Sequence, residues 1–366
     1  MLFSFALIFL VCILLGQVVG WIKLPPLLGM LLAGILLGPF GWELLDDTTL
    51  TISSQLRQIA LVIILLRAGL SLEWKKLQSV GPTAMLLCFV PACFEMTATI
   101  IFAPMLLGFS FQEAALLGAV LAAVSPAVIV PKMLQLMEKG YGITKGIPQM
   151  ILSGASVDDV FVIVVFTSFL GMAQGQGVSA VSFLQIPISI ILGIAGGCAV
   201  GWAISFLLKK WKPISAIQTI CLLSGAFLLV SVEDFLKGTV PFSGLLGVMA
   251  MGLVAQSQLK TTISQTNGQL SKMWVAAEPM LFVLVGASVN ISYLFRAGIP
   301  AVILLCLAIL VRMVGVWVST LPSSLEPKER LFCMIAYTPK ATVQEAIGAI
   351  PLAAGLACGN SILAVA

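Results

Sequence analysis

The sequence SGASVDDV, residues 153–160, places two adjacent carboxyl groups, Asp158 and Asp159, in the middle of an apolar segment of about residues 145–172. Each ionisable group inside a bilayer costs about 2.5–3.5 kcal/mol on insertion scales, so such groups are usually kept for a function. Adjacent residues on a helix point in different directions, so one carboxylate can face a cavity while the other reaches a neighbouring helix. The stretch therefore predicts a buried functional site within a membrane-spanning helix.

The composition of the whole chain is that of an all-α polytopic membrane protein. Of its 366 residues, 60% are hydrophobic and 9% are charged, and the mean hydropathy is +1.13. A soluble domain carries roughly 25% charged residues, so a soluble enzyme, a nucleic-acid-binding protein, a secreted scaffold and a disordered chain are excluded. Histidine is absent and the eight cysteines occur singly. We therefore expect no imidazole metal site, no disulfide framework and no cofactor.

About thirteen apolar segments are long enough, or nearly so, to cross the bilayer as helices. They lie near residues 2–21, 24–40, 54–71, 82–108, 111–136, 145–172, 180–208, 214–232, 241–257, 274–292, 299–321, 331–350 and 352–366. The first has no cationic start and no small-residue cleavage site, which argues against a cleaved signal peptide. The last ends at Ala366 after about 15 residues, which is short for a span, so it is expected to be incomplete or differently placed.

The basic residues are sorted by loop. Odd-numbered loops hold 13 of the 19 Lys and Arg residues, and even-numbered loops hold only Lys237 and Arg296. Because cytoplasmic loops carry the excess of Lys and Arg, this bias predicts that odd-numbered loops face the cytoplasm and that the N-terminus lies outside. It also supports the segment count, because one missed span would assign the Lys and Arg residues after it to loops on the opposite side of the membrane.

Weak internal similarity recurs at a nearly constant offset. Three matches share it: Gly29-x4-Gly34 with Gly247-x4-Gly252 at 218 residues, 65–71 with 284–290 at 219, and 124–127 with 337–340 at 213. They predict repeat one at about residues 1–172, a linker helix at about 180–208 and repeat two at about 214–366. Seven spans separate equivalent positions, so the repeats are expected to have inverted topology, as in secondary transporters.

Pro126 and Pro339 fall inside their segments at equivalent places in the two halves, each preceded by Ser or Thr. Proline removes a backbone hydrogen bond and breaks a helix. A single such proline is as well explained by a simple kink. A symmetric pair favours a binding site near the midplane, where freed carbonyls and half-helix ends can face an ion.

Three further charges lie deep inside segments. Adding the repeat offset to Glu95 leads to Arg312, so these two are predicted to form a buried ion pair near the pseudo-axis. Lys340 follows Pro339, where a cation can compensate a half-helix C-terminus or an aspartate. For both, structural neutralisation and a part in ion coupling are equally open.

Four other ionisable groups carry less information. Arg57 and Arg67 lie nearer segment ends and are expected to snorkel. Glu278 and Glu345 receive no assignment.

A buried aspartate near neutral pH can hold either a proton or a cation. Desolvation favours the neutral form of a carboxyl group, whereas a bound cation favours the charged form. That competition is sufficient for exchange.

Four longer stretches resemble the monovalent cation:proton antiporters of the sodium/proton type, above all the branch of bacterial and animal NHA-type exchangers. They are AVSPAVIVPKML (123–134), GYGITKGIPQMILSGASVDDV (140–160), EPMLFVLVGASV (278–289) and PKERLFCMIAYTPKATVQEAIG (327–348). The resemblance spans nearly the whole chain. It implies a dimer in which each protomer has a scaffold domain and a mobile core, with two broken helices crossing in the core.

The resemblance also implies roles for single residues. Asp159 matches the aspartate that carries the cation and the proton, and Asp158 matches its acidic neighbour. Glu95 with Arg312 resembles the core ion pair, and Lys340 matches the basic residue at the second helix break.

The function that this resemblance implies is exchange of Na⁺ or Li⁺ for H⁺ across the cell membrane by alternating access, with Ser125 and backbone carbonyls assisting Asp158 and Asp159. Such a protein is not an enzyme; its partners are Na⁺ or Li⁺, H⁺, the lipid bilayer and a second copy, with no nucleic acid. The alternatives are a sodium-coupled organic-anion symporter of similar fold and a K⁺/H⁺ antiporter. An intramembrane aspartyl protease would need its two carboxylates on different helices.

Overall fold

The computed structural model describes residues 1–21, 26–72, 74–173, 180–236, 239–259, 263–289, 291–340, 344, 347–348, 350–356 and 358–365. Within these ranges the secondary structure is helical and contains no β strand. The helices are α1 (Leu2–Trp21), α2 (Pro26–Leu37), α3 (Asp47–Thr51), α4 (Ser53–Ser71), α5 (Trp74–Leu87), α6 (Val90–Leu107), α7 (Phe111–Ala122), α8 (Pro126–Glu138), α9 (Ile147–Ala173), α10 (Ala180–Trp211), α11 (Ser215–Leu236), α12 (Gly244–Gln258), α13 (Ile263–Ser288), α14 (Ile291–Thr320), α15 (Pro327–Ala336), α16 (Ile350–Ala353) and α17 (Gly359–Val365).

Seven helical stretches in the described part of the chain are long and apolar enough to cross a membrane. They are Leu2–Trp21, Ser53–Ser71, Gly81–Leu107, Pro187–Trp211, Ser215–Leu236, Ile263–Ser288 and Gly298–Thr320. Shorter apolar helices occur at Pro26–Leu37, Phe111–Ala122, Phe161–Ala173 and Gly244–Gln258. The chain is therefore a multi-pass helical membrane protein, and the full count of thirteen spans stays a prediction.

Burial differs strongly between these helices. Helix α4 buries ten of its 19 residues and α13 buries twelve of its 26, whereas α10 exposes bulky apolar groups such as Trp202 and Phe206. A soluble protein rarely exposes contiguous apolar surface of this kind. The exposed apolar side of α10 is suited to contact with lipid.

Glycine allows two pairs of helices to approach closely. A Cβ atom at Gly34 on α2 would overlap the carbonyl oxygen of Val283 on α13, and one at Gly69 on α4 would overlap that of Met249 on α12. Small residues at such contacts let helix backbones pack directly against one another. Helix α2 therefore packs on α13, and α12 packs on α4.

Two of the predicted segments are interrupted near their middle. Helix α7 ends at Ala122 and α8 begins at Pro126, while α15 ends at Ala336 and is followed by the non-helical residues 338–340. The two interruptions touch, because the Ser125 N–H donates to the Pro339 carbonyl at 3.0 Å. Pro126 and Pro339 thus lie at helix interruptions that meet inside the protein.

Two other predicted boundaries differ from the structure. The segment 82–108 contains an interruption at residues 88–89 between α5 and α6, because Pro91 at the start of α6 has no N–H to continue the helix. Helix α14 begins before the predicted segment 299–321 and changes direction at Gly298, whose φ is +68°. Glycine adopts this positive φ without steric cost because it has no Cβ atom.

Candidate functional site

The site lies where the α7–α8 interruption meets residues 337–340, and α9 passes beside it. Helix α9 packs against α7 and α8 and carries Asp158 near its middle. Asp159 follows in the same helix, and its side chain lies outside the described part of the structure. Ser125 is the last residue before α8, and its side chain is fully buried.

Asp158 is fully buried, and one of its two carboxylate oxygens accepts hydrogen bonds. Its Oδ2 accepts a hydrogen bond from the Val124 N–H at 3.1 Å and one from Arg312 Nη2 at 3.3 Å. Its Oδ1, like Ser125 Oγ, has no hydrogen-bond partner among the described residues. Buried polar atoms are nearly always satisfied. These two oxygens, one on α9 and one at the α7–α8 interruption, are therefore candidate ligands for a cation.

Arg312 on α14 is fully buried and joins three parts of the site. Its Nη1 pairs with Glu95 Oε2 on α6 at 2.6 Å, its Nε donates to the Tyr337 carbonyl at 2.9 Å, and it also donates to the Ala122 carbonyl. The structure therefore brings Glu95 and Arg312 together and adds Asp158 to the pair. A buried charge needs such partners, since an isolated one is strongly unfavourable.

Lys340 supplies the second cation. Its Nζ lies 2.5 Å from Glu95 Oε2, donates to the Leu121 carbonyl and lies 3.1 Å from the Ala123 carbonyl. From the sequence, both a half-helix C-terminus and an aspartate were possible partners of this ammonium group. The structure places the Lys340 ammonium on a glutamate and on the C-terminal carbonyls of α7.

The buried C-terminus of α7 therefore receives donors from two other segments. The last carbonyls of a helix have no partner within the helix and carry the negative end of its dipole. Here the Ala122 carbonyl accepts from Arg312, and those of Leu121 and Ala123 accept from Lys340 and Gln344.

A cavity of about 260 Å³ lies between α8 and α15. Its lining includes Lys132 and Leu136 on α8, Phe332 on α15 and Pro339 at the second interruption. The cavity thus extends between α8 and α15 as far as Pro339, where the two interruptions meet.

A sequence model of the family described as "Sodium/hydrogen exchanger, transmembrane" matches residues 6–366. The chain belongs to this family. It is 34% identical over 361 residues to sodium/hydrogen exchanger 9B2 of Mus musculus, covering 96% of this chain and 65% of the relative. It is 35% identical over 367 residues to sodium/hydrogen exchanger 9B1 of Homo sapiens, covering 96% and 70%. The chain thus spans about two thirds of the length of these relatives, which are named as exchangers, a class of transporter and not of enzyme.

Among solved structures, this member of the exchanger family is similar to the sodium proton antiporter MjNhaP1 from Methanocaldococcus jannaschii at pH 8. The TM-score is 0.77 at 21% sequence identity, and the match covers 99% of this chain and 89% of that chain. A second structure of the same antiporter gives a TM-score of 0.77 at 22% identity. At this identity the likeness shows a shared fold.

Gln344 is a residue of the site in this family member that the sequence pattern did not indicate. The residue is buried, with 1% of its surface exposed, and its Nε2 donates to the Ala123 carbonyl. Two features could have indicated it: it is an amide inside an apolar segment, and it follows Lys340 by four residues, which is about one helical turn.

The expectation that Arg67 snorkels was wrong. Arg67 is only 8% exposed and its Nη2 lies 2.5 Å from Glu138 Oε1 at the end of α8. Because α8 packs against α4, the fold supplies an acidic partner that the position of Arg67 near its own helix end did not indicate. Arg57 is half-buried and its Nε donates to the Ser53 carbonyl at 3.4 Å.

Outside the site, a salt bridge joins the loop before α9 to the start of α15 in this exchanger-family chain. Lys145 Nζ, before α9, lies 2.7 Å from Glu329 Oε2 and 3.2 Å from Glu326 Oε1 at the start of α15. The hydrogen bond from Lys145 lowers the pKa of Glu329, and the same bond raises the pKa of Lys145.

We expect Lys145→Met to lower the Tm of the detergent-solubilised protein slightly at pH 7. A lowered Glu pKa stabilises the fold above the ordinary value of about 4.3, and a raised Lys pKa stabilises it below about 10.4. The difference between wild type and variant should therefore persist between these limits and disappear as the pH falls through the lowered pKa of Glu329. Scanning fluorimetry at pH 7 and at pH 3.5 measures it.

The matched control is Lys328→Met, which removes an exposed cation one residue before Glu329. It should leave the Tm unchanged at both pH values. High salt should reduce the effect of Lys145→Met, because exposed pairs are screened. A difference that grows on acidification would contradict the assignment.

Proposed function

We propose that the chain exchanges Na⁺ or Li⁺ for H⁺ across the cell membrane by alternating access. The observation that carries this proposal is a pair of buried oxygens, Ser125 Oγ and Asp158 Oδ1, that have no partner among the described residues and lie beside the meeting point of two helix interruptions. Membership of the exchanger family and the names of the relatives support the choice of ions.

In this proposal Asp159 carries either the cation or the proton. Asp158 and Ser125 offer further oxygen ligands, and backbone carbonyls at the interruptions complete the shell of a dehydrated ion. A proton on the carboxyl group removes the negative charge that holds the cation, so the two substrates exclude each other. After the cation has left, Asp159 binds a proton, and the protein returns to its first conformation with the proton in place of the metal ion.

The neighbouring charges keep this exchange electrostatically balanced. Glu95 lies between Arg312 and Lys340, so the buried cluster holds its own charges in pairs whether or not an ion is bound. Arg312 also touches Asp158, which keeps Oδ2 occupied and leaves Oδ1 for the substrate. We assign Glu95, Arg312 and Lys340 to this compensating role.

We further propose thirteen spans in two inverted repeats, at about residues 1–172 and 214–366, joined by a linker helix at about 180–208. In the predicted repeats, α2 corresponds to α12 and α4 corresponds to α13. The contact of α2 with α13 is therefore the counterpart of the contact of α12 with α4, which supports the repeat. In the resulting protein, α5–α9 and α14–α17 form the mobile core. Helices α1–α4 and α11–α13 form the scaffold, through which two protomers associate in the bilayer.

The sorting of basic residues supports a cytoplasmic location for the odd-numbered loops and an extracellular N-terminus. On that topology the 260 Å³ cavity between α8 and α15 opens towards the cytoplasm and leads to Pro339. The Arg67–Glu138 pair lies on the same side and joins scaffold helix α4 to core helix α8. Movement of the core along the scaffold would require this pair to separate.

The test is a proteoliposome assay with a trapped pH-sensitive dye. The full chain is reconstituted, an imposed pH gradient is followed, and Na⁺, Li⁺ or K⁺ is added with and without a clamp on the membrane potential. We expect Na⁺ and Li⁺ to dissipate the gradient in vesicles that contain the protein and not in empty vesicles.

Two results would replace the proposal with a different activity. Dissipation by K⁺ without a response to Na⁺ or Li⁺ would show a K⁺/H⁺ antiporter. Failure of all three cations, together with sodium-dependent uptake of an organic anion, would show a symporter.

A further inference from the structure

Gln344 and Asp158 bind the two ends of the same peptide group. Its Nε2 donates to the carbonyl oxygen of Ala123, and the N–H of the same peptide group, on Val124, donates to Asp158 Oδ2 at 3.1 Å. A peptide group is planar and rigid, so the direction of its C=O sets the direction of its N–H. Holding the Ala123 carbonyl therefore also aims the Val124 N–H at Asp158.

We propose that Gln344 is a positioning residue that orients the Asp158 carboxylate for the transported cation. The inference rests on the proposed function. It accounts for the direction of the Val124 N–H, which holds Asp158 Oδ2 together with Arg312, while Oδ1 has no partner among the described residues. A carboxylate held by one oxygen presents the other in a defined direction, and such pre-organisation increases affinity by reducing the ordering needed on binding.

The side-chain amide of Gln344 is a neutral hydrogen-bond donor, whereas the Lys340 ammonium is charged. Lys340 Nζ also lies 3.1 Å from the Ala123 carbonyl, but its charge is shared with Glu95 and with the Leu121 carbonyl. Gln344 has no net charge that a moving cation would repel. It can hold the peptide group in place while the charges around Asp158 change during transport.

The experiment compares apparent affinity with maximum rate in Na⁺-driven proton movement. Gln344→Met removes the amide donor and keeps the size of the side chain. We expect the KM for Na⁺ to rise about fivefold, which corresponds to about 1 kcal/mol, the usual net value of one hydrogen bond. The maximum rate should stay within about twofold, because saturating Na⁺ compensates a loosened site.

The comparison of KM with maximum rate distinguishes a positioning role of Gln344 from a merely structural one. A variant that only folds less well contains less active protein, so its maximum rate falls while its KM stays the same. Gln344→His places a ring N–H at nearly the reach of the glutamine amide, and it should return the KM to within about twofold of wild type.

Gln149 offers a matched control. It is a second glutamine buried to the same degree, with 1% of its surface exposed, and neither its Oε1 nor its Nε2 has a partner in the described structure. Gln149→Met therefore removes an equally buried amide without removing a hydrogen bond to the site. It should leave the KM for Na⁺ unchanged.

The outcomes separate this inference from the proposed function. A wild-type protein that moves no protons with Na⁺ or Li⁺ overturns the proposed function. A wild-type protein that exchanges them, together with an unchanged KM in Gln344→Met, overturns only the role of Gln344. If Gln344→Met does not purify as a monodisperse protein, Gln344→Asn carries the same expectation of a raised KM, because it withdraws the amide from Ala123; an unchanged KM there overturns the inference.

Discussion

Asp159→Asn is expected to reduce Na⁺-driven proton movement in proteoliposomes to the level of empty vesicles. The asparagine amide has nearly the same shape as the carboxyl group but can neither release a proton nor carry the negative charge that holds a cation. Both substrates therefore lose their common site at once. Asp159 follows directly on Asp158, whose Oδ2 is already engaged by Val124 and Arg312.

The protein itself should remain folded. An asparagine at this position removes a charge from an apolar stretch of sequence, which lowers the cost of insertion. Size-exclusion profile and Tm should match wild type. Asp47→Asn, an exposed aspartate at the start of α3, is the matched control and should transport at the wild-type rate. Normal exchange by Asp159→Asn or Asp159→Ala would remove Asp159 from the mechanism.

Arg312→Met is expected to destabilise the protein by about 3–5 kcal/mol, the usual cost of breaking a buried ion pair from one side. The fully buried guanidinium contacts Glu95, Asp158 and two backbone carbonyls. Methionine fills much of the space and satisfies none of these groups. Glu95 then keeps Lys340 as its cation, whereas Asp158 loses its direct ion-pair partner.

Thermal unfolding in detergent, followed by size-exclusion chromatography, measures this loss. Arg312→Lys should fall between wild type and Arg312→Met, because lysine keeps the charge but lacks the planar set of donors that reaches several acceptors at once. Lys210→Met removes an exposed cation at the end of α10 and should change stability by no more than about 0.5 kcal/mol. A Tm of Arg312→Met equal to wild type would show that the cluster contributes nothing to the fold.

Spacing and hydropathy were enough to place the main elements of the site. The apolar run around Asp158 predicted a helix there, and α9 contains it. Pro126 and Pro339 predicted interruptions because proline lacks an N–H, a property of the residue itself. The offset between the two predicted repeats associated Glu95 with Arg312, and the two side chains form an ion pair. Each of these inferences depends on information carried along the chain.

Most other contacts between distant segments could not be obtained in this way. Arg67 lies near the end of its own helix, and only the packing of α8 on α4 provides Glu138 as its partner, 71 residues further along the chain. Interrupted segments of this kind free backbone carbonyls, but their sequence does not state which donors satisfy them.

The sequence by itself determined that the protein is an all-helical membrane protein with buried carboxylates and two interrupted segments, because hydropathy, proline and charge act locally. The tertiary structure decided which groups meet at the interruptions. Lys340 and Gln344 reach the Ala123 carbonyl across 217 and 221 residues of chain. The physical reason is that a buried carbonyl accepts whichever donor packing brings within about 3 Å, and packing depends on all the helices together.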